Sequence, residues 1–211
     1  MHGKHIELKN VPLTATTADV RRAIDRTKLL GVKDVTLVYK RFTPTGTAMV
    51  SLTRPDFLKK NLQLLENISI SGIPLKSRPR LLDDAYMTLP RARGEKGREE
   101  ADQRGTLNGD GPRAGIRDDG RTVTVWGYPG KTESAAVEFL VRDYDVARKR
   151  SGEADVRKVP APEGRFTMCS RFLVKLANVS EAHRLVREMN MTYYEPETLG
   201  NKFILRARIV H

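Results

Sequence analysis

The strongest constraint on this chain is an order of elements that occurs twice. In the first stretch, HIELKNV (His5 to Val11) alternates apolar and polar residues and predicts a strand, and TTADVRRAID (Thr16 to Asp25) predicts a helix with Thr16 or Thr17 as its N-cap. Strands follow at VKDVTLVY (Val32 to Tyr39) and GTAMVSL (Gly46 to Leu52), then a helix over Arg54 to Glu66 and a last strand over Ile68 to Arg78. The second stretch repeats the order. TVTVWGY (Thr122 to Tyr128) predicts a strand and Thr132 to Lys149 a helix. ADVRKVP and Cys169 to Ala177 predict strands, Ser180 to Asn190 a helix capped by Ser180, and Lys202 to Val210 the closing strand. Two βαββαβ units in tandem define an α+β chain of two ferredoxin-like sandwiches. Each has an antiparallel sheet with helices on one face and the other face open.

Between the two patterns the composition changes. From Leu89 to Gly120 the chain mixes Gly, Pro and both signs of charge with almost no branched apolar residues, so it cannot bury enough surface to offset its ordering entropy. A run of that length does not suit the inside of a compact domain. The expected organisation is a first domain over 1–82, a flexible charged linker over 83–120 and a second domain over 121–211. Charge follows the same division. Residues 1–80 carry +9, residues 81–120 carry −2 and residues 121–211 carry +5, for a total of +12. Both domains should therefore attract polyanions, while the linker should not.

Several function classes fall away. No apolar run approaches the roughly 20 residues of a membrane span. The single Cys169 rules out an intramolecular disulfide framework and any zinc site of clustered thiolates; opening a strand, it reads as structural, and an intracellular, reducing compartment is expected. No signal-peptide pattern precedes His5, so either nothing is targeted from that end or a presequence has been removed. Nucleus, cytoplasm and mitochondrial matrix are not distinguished. GYPGKT (Gly127 to Thr132) fails as a phosphate loop because Val125 stands where GxxxxGK[ST] requires Gly. His2, His5, His183 and His211 have no metal-ligand partners at suitable spacing, and neither a serine nor Cys169 has an evident base. No catalytic residue, metal or cofactor is expected.

The strands resemble those of the RNA recognition motif (RRM) family, whose first and third strands carry a hexamer and an octamer motif. IELKNV (Ile6 to Val11) is similar to the hexamer and TGTAMVSL (Thr45 to Leu52) to the octamer, with Asn10, Gly46, Ala48, Val50 and Leu52 at framework positions. VTVWGY (Val123 to Tyr128) and CSRFLVKL (Cys169 to Leu176) match more loosely. Where the resemblance places stacking rings, this chain has Glu7, Thr47 and Met49 in the first domain and Thr124, Arg171 and Leu173 in the second.

Strand parity turns Thr124, Trp126, Arg171, Leu173 and Lys175 to the open face of the second domain and buries Val123, Val125, Phe172, Val174 and Leu176. Trp126 is then the best stacking candidate. The candidate RNA-binding residues are Lys9, Lys40, Met49, Lys76 and Arg78 in the first domain. In the second they are Trp126, Arg171, Leu173, Lys175, Arg206 and Arg208. Tyr39, Phe57, Phe139 and Tyr144 sit at core-compatible spacings. Two functions follow. The first is a non-catalytic protein that binds single-stranded RNA through the basic faces of two tethered modules. The second is an RRM-fold module whose lost rings leave it to bind a protein within a ribonucleoprotein assembly.

Overall fold

A computed structural model of the chain describes residues 3–81, 119–149, 151–161 and 166–211, together with 109, 111, 112, 116 and 164. The chain divides into two units, each an RRM-like α+β sandwich.

The first unit runs β1 (His5–Lys9), α1 (Thr17–Arg26), β2 (Val32–Lys40), β3 (Thr43–Leu52), α2 (Phe57–Leu64), a small hairpin of β4 (Ser69–Ile70) and β5 (Ile73–Pro74), and β6 (Lys76–Arg80). Its antiparallel sheet has the order β6-β1-β3-β2, and a two-residue strand β7 (Gly111–Pro112) adds to the β2 edge opposite Val38 and Tyr39. Thr16 caps α1 through a full capping box. Its Oγ1 accepts the Asp19 amide at 3.2 Å, and the Thr16 amide donates to Asp19 Oδ2 at 2.9 Å. The helix buries Val20, Ala23 and Ile24, which come at helical spacing, and the strands bury Ile6, Leu8, Leu37 and Val50. Asn61 of α2 is fully buried, and its amide group both donates to and accepts from the Leu30 backbone at 2.8 and 2.9 Å. That double bond ties α2 to the turn before β2. Most of the linker expected over 83–120 lies outside the described residues.

The second unit runs β8 (Thr122–Pro129), α3 (Ser134–Leu140), β9 (Val156–Val159), β10 (Cys169–Lys175), α4 (Val179–Met189), α5 (Pro196–Leu199), a 3-10 turn over Gly200–Lys202, and β11 (Arg206–Val210). Its sheet order is β11-β8-β10-β9. The core draws on Val123, Val125, Phe172, Val174 and Leu176 from the sheet and Val137, Ala182 and Leu185 from the helices. Among the described residues of both units no helix is long and apolar enough to cross a membrane.

Local structure departs from expectation at several points. The helix expected over Thr132 to Lys149 stops at Leu140. Beyond it Val146 bridges Leu176, Arg148 bridges Ala154, and the Ala147 amide donates to the Lys175 carbonyl at 2.8 Å. Tyr144, Val146 and Arg148 alternate, so this stretch extends along the end of β10 rather than continuing the helix. Phe139, expected in the core, is 63% exposed with the Arg142 guanidinium 4.2 Å from its ring centroid, whereas Tyr39 is 2% exposed as expected. Phe57 and Tyr144 are half-buried. Asn178, not Ser180, caps α4, its side chain accepting the Glu181 amide at 2.9 Å. Cys169 opens β10 and is exposed, so it does not serve as a packing residue.

Candidate nucleic-acid interface

In the second unit β8 lies between β10 and β11, and register decides which side chains share its face. Trp126 stands opposite Arg171 on β10 and Arg206 on β11; Thr124 stands opposite Leu173 and Arg208. The next strand continues both rows, with Val159 beside Arg171 and Arg157 beside Leu173. One indole therefore lies between two guanidinium side chains, and the Arg171 head sits 5.0 Å from the Trp126 ring, a cation–π contact. Trp126 takes this place because the alternation of β8 is strict from Thr122 to Trp126. At Gly127, whose φ is +109°, the strand bulges, and the register shifts between Ser170 and Arg171. A Cβ at Gly127 would overlap the Ile204 carbonyl oxygen. The bulge turns Tyr128 inward, where it is fully buried edge-on to Phe172 and Tyr194, each at 5.3 Å.

Exposure across this face is uneven. Arg206 is exposed, and Trp126, Arg171, Lys175 and Arg208 are half-buried. Leu173, expected to face outward as a contact, is only 6% exposed, and Thr124 is fully buried. Beside Leu173 in register, Arg157 is held by Asp155 at 3.1 Å with side-chain exposures of 10% and 5%, a low ion pair on the β9 side. Leu173 is thus buried on this face, contrary to the exposed position expected of it. Arg157 and Asp155 escaped the sequence reading because the β9–β10 register sets their neighbours.

In the first unit the face carries three rows across β6, β1 and β3. They are Arg80–His5–Ser51, Arg78–Glu7–Met49 and Lys76–Lys9–Thr47. Glu7, at a position the family resemblance gives to a ring, is 7% exposed and accepts hydrogen bonds from Arg78 Nε and from Arg80 Nη1, the latter at 3.4 Å. Arg78 is thus ion-paired within the protein. Arg80, two residues further on, was not among the expected site residues, although strand parity places it with Arg78. Met49 is 3% exposed beside Glu7, which corrects the expectation of an outward contact. Lys76 and Lys40 are exposed and Lys9 is half-buried. Among the described residues no group of three or more His, Cys, Asp or Glu side chains could hold a metal ion.

No family model and no curated protein matches the sequence. Solved structures similar to the chain include a Sex-lethal protein–RNA complex, 12% identical over 98% of this chain and 99% of that one with a TM-score of 0.33. Another is a structure of RNA recognition domains 1 and 2 of Sex-lethal from Drosophila melanogaster, 10% identical over 97% and 98% with a TM-score of 0.33. The second RRM domain of a yeast poly(U)-binding protein is 12% identical over 37% of this chain and 95% of its own, with a TM-score of 0.34.

Proposed function

We propose that this tandem pair of RRM-like units is a non-catalytic RNA-binding protein that takes single-stranded RNA on the face of its second sheet, assisted by the cations of the first. The observation that carries the reading is the row Arg206–Trp126–Arg171, with a guanidinium already against the indole. An aromatic platform flanked by fixed cations is how sequence-tolerant single-strand binders work: a base stacks on a π-face and its phosphates meet the charges. A base reaching Trp126 shares the ring with Arg171 or stacks on the outer face of that guanidinium, since planar guanidinium groups also stack. Arg206 and Arg208 lie in register on the neighbouring edge strand, where a phosphodiester backbone would pass. The overall charge of +12 adds long-range attraction of the same sign.

Fluorescence-anisotropy titration of the intact chain with pooled single-stranded RNA at several salt concentrations tests this. Affinity should fall with salt at a log–log slope of about 0.7 per phosphate contact. Trp126→Ala should weaken binding more than tenfold, about 1.4 kcal/mol, with Thr47→Ala close to wild type. Absence of binding at low salt overturns the reading. The alternative, a module that binds protein within a ribonucleoprotein, is favoured by the first unit, where Glu7, Thr47 and Met49 hold the ring positions. It becomes the better reading if RNA is not bound.

A further inference from the structure

β6 is an edge strand, and its alternation puts Lys76, Arg78 and Arg80 on one face at every second residue. A strand rise of about 3.4 Å spaces these cations by about 7 Å, a ladder along which an extended polyanion can run. The three rungs are not in the same electrostatic state. Lys76 stands directly opposite Lys9, a like-charged cross-strand pair that destabilises the sheet and that an anion between the two would relieve. Arg78 and Arg80 both turn toward Glu7 on the adjacent strand.

The geometry of that cluster is asymmetric. The Glu7 side chain is only 10% exposed and fixed in a central strand, whereas Arg78 and Arg80 reach it from the edge and remain 49% and 45% exposed. The arginine heads stay half in solvent while the carboxylate they hold is buried, so the pairing mainly offsets the burial of Glu7 and leaves the two cations within reach of a competing anion. Edge charges and Pro79 also discourage edge-to-edge pairing with other sheets, but that role does not require Glu7. Each guanidinium gives Glu7 one of its five N–H donors, and the carboxylate both draws the two heads toward β1 and offsets the charge a phosphate would meet.

We propose that Glu7 is an internal competitor for phosphate. It holds Arg78 and Arg80 in the unliganded protein, and it gives them up when the phosphodiester backbone of a single strand, caught first by Lys9 and Lys76, runs along β6. Taking the arginines leaves Glu7 buried without them, a cost the ligand must overcome. The first sheet is therefore a weak polyanion site whose strength Glu7 sets. This rests on the RNA-binding reading.

The test is a double-mutant cycle on the intact chain, titrating a fluorescent oligouridylate at several salt concentrations. Glu7→Gln keeps the shape and an acceptor oxygen but removes the charge. It should tighten binding about fivefold or more and steepen the log–log salt slope by at least one phosphate contact, about 0.7. In an Arg78→Gln, Arg80→Gln background the same change should alter affinity less than about twofold, because no held cations remain to be freed. Thermal unfolding of each variant verifies folding. If Glu7→Gln does not fold, Glu7→Asp keeps the charge but shortens the reach to the arginines by one methylene, and should tighten binding by a smaller factor. Equal tightening in both backgrounds is a plain charge effect and overturns the proposal, as does no tightening; in either case wild-type binding leaves the proposed function intact. No binding by any of the proteins at low salt overturns both.

Discussion

Tyr128 shows how one side chain connects the packing of the second unit to its pH response. Its ring is fully buried between Phe172 and Tyr194, and its hydroxyl has no hydrogen-bond partner among the described residues. Burial pushes the phenol far above its ordinary range, with the neighbouring Tyr194 and Tyr144 adding to the effect. A group whose folded value is raised contributes stability that is complete below its unfolded value and is lost as pH rises toward the folded one. The loss therefore begins near pH 10, with a slope approaching 1.4 kcal/mol per pH unit from this group. Tyr128→Phe should leave stability at pH 7 unchanged or raise it by about 1 kcal/mol, and should flatten the fall above pH 10. Denaturant melts at pH 7 and pH 10.5 check both parts; a loss of more than about 2 kcal/mol at pH 7 would mean the hydroxyl is satisfied after all. At this scale the sequence was partly legible. Parity put Trp126 and Arg171 on one face because both lie within regular strand, and the family resemblance put Glu7 at a place a stacking ring would hold. The clamp on Glu7 was not legible, because Arg78 lies 71 residues away and only the β1–β6 register joins them.

At the level of elements, periodicity succeeded where one face is buried along the whole element and failed where the chain changes direction. The cap of α1 was legible as Thr16 or Thr17, and the structure selects Thr16 through its capping box with Asp19. The stretch after Leu140 was ambiguous: Tyr144, Val146 and Arg148 satisfy a period of 2, while Val137, Val141 and Tyr144 satisfy one near 3.6. Pairing with the end of β10 decides for extension, and Tyr144, whose hydroxyl donates to Glu188 Oε2 at 2.6 Å, then anchors the turn to α4. The bulge in β8 was equally hidden. Strict alternation would put Tyr128 on the same face as Trp126, and one left-handed glycine reverses it. Gly127→Ala should therefore do more than strain a backbone angle. The new Cβ meets the Ile204 carbonyl, so β8 must separate from the chain before β11 or lose its bulge, and Tyr128 leaves the core. The expected destabilisation is on the order of 3 kcal/mol or more, seen as a lowered unfolding midpoint together with loss of the near-ultraviolet circular dichroism of the buried rings. A native midpoint would show that the strand tolerates a side chain there.

For the molecule as a whole, the question is whether the twofold order of elements means two independently folding bodies. The composition of the middle segment argued for it, and most of that segment lies outside the described residues. The cores supply a separate argument. Every member of the second unit's hydrophobic cluster falls between Val123 and Ile209, with sheet and helices from that stretch alone. A fragment of residues 119–211 therefore contains every residue of that cluster, and at roughly 90 residues it is large enough to fold unaided. It should unfold in one cooperative transition with an enthalpy of about 60–70 kcal/mol, and it should bind single-stranded RNA in a Trp126-dependent way. Its affinity should be lower than that of the intact chain, because the first unit's cations no longer act at high effective concentration. A fragment with native-like secondary structure but no fixed aromatic signals would show that the second core depends on the rest of the chain, and the division into domains at 1–82 and 121–211 would then be wrong. A well-folded fragment that binds as tightly as the intact protein would place the RNA entirely on the second sheet and leave the ladder of Lys76, Arg78 and Arg80 without a ligand.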